Sequence, residues 1–257
     1  MSGAQPMPAL AGKARGSAPG RSALVVRGGW DGHHPIEATD LFIPFLRERG
    51  YTVRIEESPQ VYADATAMRS TDLVVQSVTM SEITREAVAG LRAAIESGMG
   101  LVGWHGGIAD SYRNCADYLQ LVGGQFAAHP SVSPELIVEG EANNFLDYTV
   151  EFTELGRSHP MTVDLDDVVL HTEQYWVLHD DLNDVLATTT HPAPDWHPWR
   201  RPIVSPVVWT RQWGAGRIAV VTPGHSLDVL EHPTIRTIIE RGMLWASRTA
   251  SGSSGSA

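Results

Sequence analysis

Between Ala23 and Trp104 the chain alternates short β-rich runs with helical stretches, and that alternation restricts the fold more than any other feature. Ala23-Leu-Val-Val-Arg27 ends in Gly28-Gly29 and reads as a buried first strand feeding a loop. Pro35 then precedes Ile36 to Glu48, where Leu41, Phe42, Phe45 and Leu46 recur at helical spacing, and Gly50 stands where a helix stops. Tyr51–Glu56 is a second strand. A helical turn near Asp64 to Met68 leads to a third at Leu73–Gln76. Ser81 is read as the cap of a helix over Glu82 to Ser97, Gly98 and Gly100 close it, and Leu101–Trp104 is a fourth strand.

Strand, helix, strand, helix, strand is the pattern of a parallel sheet covered on both faces. Right-handed crossovers place the carboxyl end of every such strand on one edge. That edge receives Gly28 to His34, Ser77 to Met80 and His105-Gly-Gly107. After a helix over Ala116 to Val122 the texture changes. Glu135–Val138, Asp147–Phe152, Val168–Leu170 and Val185–Thr189 are short β-like pieces, expected as mixed or antiparallel additions. Pro206–Arg211 and Gly216–Thr222 read as a hairpin, and a helix from Pro233 to Trp245 closes the domain. The expectation is one α/β domain over 23–248, with a Gly/Ala/Pro/Ser-rich leader at 1–22 and a Gly/Ser tail at 249–257.

Composition excludes several function classes. The net charge is -11 with no Lys/Arg cluster, which disfavours nucleic acid and anionic membranes as partners. No run reaches the roughly 18–20 apolar residues of a membrane span, and the leader lacks the apolar core of a secretory signal. The single Cys115, mid-helix by pattern, rules out an internal disulfide framework and fits the cytoplasm. There is no phosphate-cradling loop, dinucleotide fingerprint, His-Glu-X-X-His or Cys-X-X-Cys, so no nucleotide cofactor is expected.

Eleven His and eight Trp make position the deciding question. Gly103-Trp-His-Gly-Gly107 follows a buried strand and precedes a helix, the setting of a strand-turn-helix elbow that thrusts its central side chain outward. The centre is His105, a poor acyl carrier but a good acid/base or metal ligand; the same glycines also make an ordinary turn. Val220-Val-Thr-Pro-Gly-His225 brings a second imidazole to the end of another strand. Trp30, Asp31, His33 and His34 occupy the first loop, where adjacent histidines diverge and only one is expected to face a site. Glu173 sits among apolar and aromatic residues, so it must be paired, hydrogen-bonded or raised in pKa. Tyr175 and Trp176 offer a stacking wall for a sugar, against the plainer alternative of core packing, and Trp196, Trp199 and Trp209 surround a Pro-rich loop from Ala193 to Pro206 that reads as a lid over the edge. Asp110 and Arg113 are placed at the start of the helix after the elbow, Asp110 as substrate contact or cap. His129, beside Pro130, is within reach of the same edge, and His232 is read as a helix start.

Taken in order, Gly28–His33, Thr79–Thr84, Gly103–Gly107, Gly123–Gln125 with His129-Pro130, Glu173–Tyr175, Pro206–Trp209 and Gly214–Arg217 with Gly224-His225 resemble the ThuA-like, or trehalose-utilisation, family. The resemblance runs from about Leu24 to Trp245. It implies a flavodoxin-like fold similar to class I glutamine amidotransferases, mostly parallel, with helices on both faces and added antiparallel strands. Those enzymes carry Cys at the elbow; here the matching residue is His105, so amidotransferase activity is not expected. His225 matches the position of their catalytic histidine. The family context is sugar catabolism, including keto-sugar routes.

Two functions follow. One is an enzyme on a small carbohydrate, a hydrolase, lyase or isomerase, with His105, His225 and Glu173 as acid/base groups or as ligands of a divalent metal such as zinc. Trp30, Asp31, His33, Trp104, Asp110, Tyr175 and Trp199 would then line the substrate site. The other is a non-catalytic sugar-binding or regulatory protein on the same fold. A homo-oligomer, or a partner that supplies active residues, stays open.

Overall fold

The computed structural model describes residues 20–130 and 144–249. The β-like piece expected at 135–138 lies outside those residues. The expected alternation is present: β1 (Arg21–Gly29), α1 (Pro35–Asp40), α2 (Ile43–Glu48), β2 (Tyr51–Glu56), α3 (Ala65–Arg69), β3 (Leu73–Thr79), α4 (Arg85–Glu96) and β4 (Gly100–Trp104). After the short α5 (Gly106–Ala109) come α6 (Ala116–Val122), β5 (Gly124–Ala128), β6 (Phe145–Phe152), β7 (Val168–Glu173), β8 (Trp176–His179) and β9 (Asp184–His191). The chain ends with β10 (Ile203–Trp213), β11 (Gly216–Val221), α7 (Leu227–Glu231) and α8 (Pro233–Ala246).

Nine strands form one sheet in the order β2-β1-β3-β4-β11-β10-β9-β6-β7. The first five pair in parallel and the remainder antiparallel, joined by the β10–β11 hairpin. The 2-1-3-4 start is the flavodoxin-like order, in which a ligand crevice opens where the winding reverses, between β1 and β3. The strand period of two sends alternate residues to opposite faces. Val25, Val75, Val102 and Ala219 pack against Phe42 at the N-cap of α2, Phe45 and Leu46 of α2, and Ile238 of α8. Leu24, Val74, Leu101 and Ile218 pack against Met68, Val88, Leu91 and Leu121 from α3, α4 and α6. The parallel strands bury both faces, which is why they read as continuous apolar runs.

Several local expectations need correction. The stretch 36–48 is two helices, because Pro44 has no N–H to continue α1 and instead occupies the first turn of α2. Thr84, not Ser81, caps α4 by accepting from Ala87 N. Asp110 ends α5 rather than beginning a helix, and Cys115 is the N-cap of α6 rather than mid-helix. β5 and β8 form a separate two-stranded sheet that periodicity does not reveal, one being five residues and the other four. Among the described residues no helix is long and apolar enough to cross a membrane.

Candidate functional site

β4 runs beside β11 in parallel, with Val221 opposite Trp104, so the residues that follow the two strands emerge at the same edge. His105 opens the elbow at φ 49°, ψ -141°, a conformation costly for a residue with a Cβ. Its N–H donates to Val221 O at 2.7 Å, which pins the turn to the neighbouring strand. Two glycines make the turn sterically feasible. A Cβ on Gly107 would come 2.7 Å from Ser77 Cα, and one on Gly106 would come 2.6 Å from the His33 ring. Beneath the turn, Gln76 donates through Nε2 to Gly107 O at 3.1 Å and Tyr118 Oη at 2.6 Å, and its Oε1 accepts from Tyr62 at 2.9 Å.

Three imidazoles meet here. The rings of His33 and His105 are 4.5 Å apart, His33 and His225 5.1 Å, and His105 and His225 5.3 Å. Glu173, at the end of β7, completes the group: its Oε2 is 3.1 Å from His105 Nε2 and 3.0 Å from His225 Nδ1. His129 Nε2 lies 3.5 Å from the same oxygen, and its Nδ1–H donates to Gln174 O. Of the adjacent pair on the first loop, His33 turns inward and is buried while His34 is exposed.

The second layer of contacts sets the tautomers. His105 Nδ1 is 2.8 Å from Thr222 O, and because a carbonyl only accepts, Nδ1 carries the proton and Nε2 the lone pair. His33 Nδ1 is 2.9 Å from Thr79 Oγ1, leaving its Nε2 free. The Tyr175 hydroxyl donates to His105 Nε2 at 2.9 Å.

The electrostatics favour neutral rings around an ionised carboxylate. Burial, reinforced by His105 and His225, lowers the His33 pKa to about 3. Burial also lowers His105 and His129 despite the nearby carboxylate. Burial works to raise Glu173, but the adjacent imidazoles of His105 and His225 outweigh it and hold the carboxyl well below the usual range. Tyr175 is pushed well above its ordinary value, chiefly by burial, so it keeps its proton.

Among the described residues, His33, His105, Glu173 and His225 each bring one ligand atom within 4.8 Å of the others. His225 Nδ1 is buried with no hydrogen-bond partner, even though Glu173 Oε2 is 3.0 Å away. A ring nitrogen and a carboxylate oxygen this close, not aligned for a hydrogen bond, fit ligands converging on a common point. The Thr222 carbonyl and Thr79 hydroxyl are the outer partners that metal-ligating histidines use to fix their tautomer. Three imidazoles and a carboxylate suit a first-row divalent ion, zinc among them.

Not every expected site residue arrives here. Trp104 is a correction: it is 2% exposed and packs on Phe42 in the core, because strand alternation turns it away from the edge. Trp199 stacks on His197 and meets Trp176 edge-on, in the Pro-rich segment after β9. Asp110 is buried and bound to Arg113 through both carboxylate oxygens. Asp31 is exposed on the 3-10 turn of residues 31–33. Trp30, 47% exposed, sets its ring edge-on to His33 at 4.7 Å, at the mouth of the cluster. His33, expected on the substrate, lies among the four side chains whose ligand atoms fall within 4.8 Å of one another. Thr79 and Thr222 went unrecognised, although both stand at the carboxyl ends of central strands, where this edge was expected to form.

The sequence matches the family model described as "ThuA: Trehalose utilisation" over residues 22–246. No curated protein matches it. Among solved structures, the chain is similar to a ThuA-like protein from Bacteroides uniformis at 17% identity and TM-score 0.65, covering 91% of this chain and 95% of that one. It is similar to a ThuA-like protein from Parabacteroides merdae at 15% identity and TM-score 0.65, covering 91% and 92%. A cytoplasmic protein from Salmonella typhimurium shares the fold at 13% identity and TM-score 0.56, covering 88% and 100%. At these identities the likeness is one of architecture.

Proposed function

The chain belongs to the ThuA family, and from that premise we propose that it is a metal-assisted enzyme of carbohydrate catabolism acting on trehalose or a related keto-sugar. The observation that carries this reading is the convergence of four ligand atoms within 4.8 Å, one of them a buried nitrogen without a hydrogen bond. A divalent ion held by His33, His105, Glu173 and His225 supplies a Lewis acid that polarises a carbonyl or hydroxyl oxygen.

The remaining chemistry belongs to the chain. Glu173 would balance the charge of the ion as its carboxylate ligand. Tyr175 keeps its proton, and its hydroxyl oxygen lies 2.9 Å from His105 Nε2; with that lone pair on the ion, the hydroxyl would be released to donate to a substrate oxygen. Trp30 offers an apolar ring face at the mouth for a sugar to stack on. Proton transfer beside a keto group serves hydrolysis, elimination and isomerisation alike. The single cysteine and the net charge of -11 support a cytoplasmic protein without nucleic-acid or membrane partners.

The test is metal analysis of untagged protein, followed by turnover of a keto-sugar panel by wild type and His105→Ala at high enzyme concentration. Bound metal with product formation that depends on His105 is the expected result. Sugar binding without product would favour the regulatory reading. Protein that takes up no metal, with His105→Ala indistinguishable from wild type, would sink the proposal.

A further inference from the structure

The nine-stranded sheet is open between β6 and β9. β9 stays paired to β10 as far as His191 opposite Ile203, and β6 stays paired to β7 from Phe145 to Val150. Between themselves β6 and β9 pair only at Glu151 opposite Thr188 and Phe152 opposite Ala187. Where they part lies a cleft of about 300 Å³, with Asp147, Thr149 and Glu151 on one wall and Thr189, Thr190 and Pro192 on the other. Asp147, Thr149 and Glu151 alternate with buried Tyr148 and Val150, so their polar side chains share the outer face.

Gln174 also lines this cleft and is 1% exposed. Its Nε2 donates to Thr189 Oγ1 at 2.7 Å and to Thr190 O at 3.3 Å, which fixes the orientation of the amide. Its Oε1 is buried with no hydrogen-bond partner. A buried amide oxygen without a donor is costly, and native proteins leave few. Leu146 lines one end of the cleft, and its neighbour Phe145 pairs with Glu173 and sets its ring 5.1 Å from that of His225, so that end lies near the histidine cluster.

We propose that this cleft is a subsite for a neutral, hydroxyl-rich ligand, the second ring of a disaccharide whose first ring lies at the cluster; the two-ring assignment rests on the carbohydrate reading above. The acceptors Gln174 Oε1 and Glu151, with the Asp147 oxygen not held by His171, call for a ligand that donates. The two carboxylates and the net charge of -11 turn anions away. The volume sits at the small-molecule end of the roughly 300–1,000 Å³ range of ligand pockets, too small for an added strand of several residues. At the rim, Trp199 donates its indole N–H to Pro192 O at 3.1 Å, which holds an aromatic ring beside that wall.

The experiment is calorimetric titration of the full chain, with metal content measured in parallel, using trehalose, maltose and glucose as probes. At least one disaccharide is expected to bind about tenfold tighter than glucose, and Gln174→Met to remove about tenfold of that affinity. Because Gln174 braces β9, Thr149→Val and Glu151→Gln on the exposed wall serve as second variants, each expected to weaken disaccharide binding by about two- to tenfold. The proposal is overturned by equal affinity for one and two rings, by unchanged affinity in folded variants, or by no disaccharide binding up to about ten times the usual ~1 mM upper KM. Metal-free protein that still shows the Gln174-dependent preference would overturn the metal reading and leave the subsite standing.

Discussion

His225 Nδ1 lies 3.0 Å from Glu173 Oε2, yet the nitrogen makes no hydrogen bond. A ring that merely balanced a buried carboxylate would turn to donate to it. An imidazole and a carboxylate that approach without alignment fit the proposal that both are ligands of a third body, and His33 and His105 converge on the same space.

His225→Ala is therefore expected to lower divalent-metal affinity by more than the roughly 10–100-fold typical of losing an outer hydrogen-bond partner. Competition against a chelator measures it, and affinity equal to wild type would refute the ligand assignment.

Thr79→Val keeps shape but removes the hydroxyl 2.9 Å from His33 Nδ1. The expected loss of metal affinity is about 10–100-fold, with little change in melting temperature. A variant that binds metal as tightly as wild type would show that His33 is positioned by packing alone.

Tyr175→Phe removes the hydroxyl that hydrogen-bonds His105 Nε2 in the metal-free protein and that a bound ion would displace, and it leaves the four candidate ligand side chains in place. Metal content should hold while kcat falls by about 10²-fold or more, the scale of general acid–base assistance. A change in KM alone would mean that Tyr175 only binds substrate.

The metal-free protein should lose stability in acid. The His33 pKa lies at about 3 against an ordinary value of 6.5, so its contribution is intact above pH 6.5 and declines as pH falls toward 3. Glu173, also lowered, acts in the same direction below the ordinary carboxylate range. By pH 5 His33 alone should cost about 2 kcal/mol. Calorimetry from pH 7.5 to 4.5 on wild type and His33→Gln measures this; parallel curves for the two proteins would contradict it.

Gln76→Leu removes the acceptor of the buried Tyr62 hydroxyl beneath the elbow, while Tyr118 keeps Ile108 O at 2.9 Å. A loss of about 2 kcal/mol is expected, since a stranded hydroxyl costs roughly 1–3 kcal/mol. Denaturant unfolding that shifts by less than ~1 kcal/mol would mean that the network relaxes.

The parallel half of the fold was legible because its determinants are local. Runs such as Leu73–Gln76, the period of α4 and the glycines around His105 act through neighbours a few residues apart. The helix Ala116–Val122 was read with its observed boundaries. Errors fell where two local rules compete, as at Pro44, or where strands are too short to show a period, as in β5 and β8.

What the sequence by itself determined is a covered parallel sheet that delivers His105 and the first loop to one edge, since strand direction and right-handed crossover leave little choice. Only the tertiary structure decided that His33 rather than His34 turns inward, that Glu173 reaches the cluster from β7, that Trp104 faces the core, and that β6 parts from β9 beside Gln174. Those outcomes depend on which strands become neighbours and where each ladder ends. They are set by contacts between residues as far apart as His105 and Thr222, 117 positions along the chain, which no nearby stretch of sequence encodes.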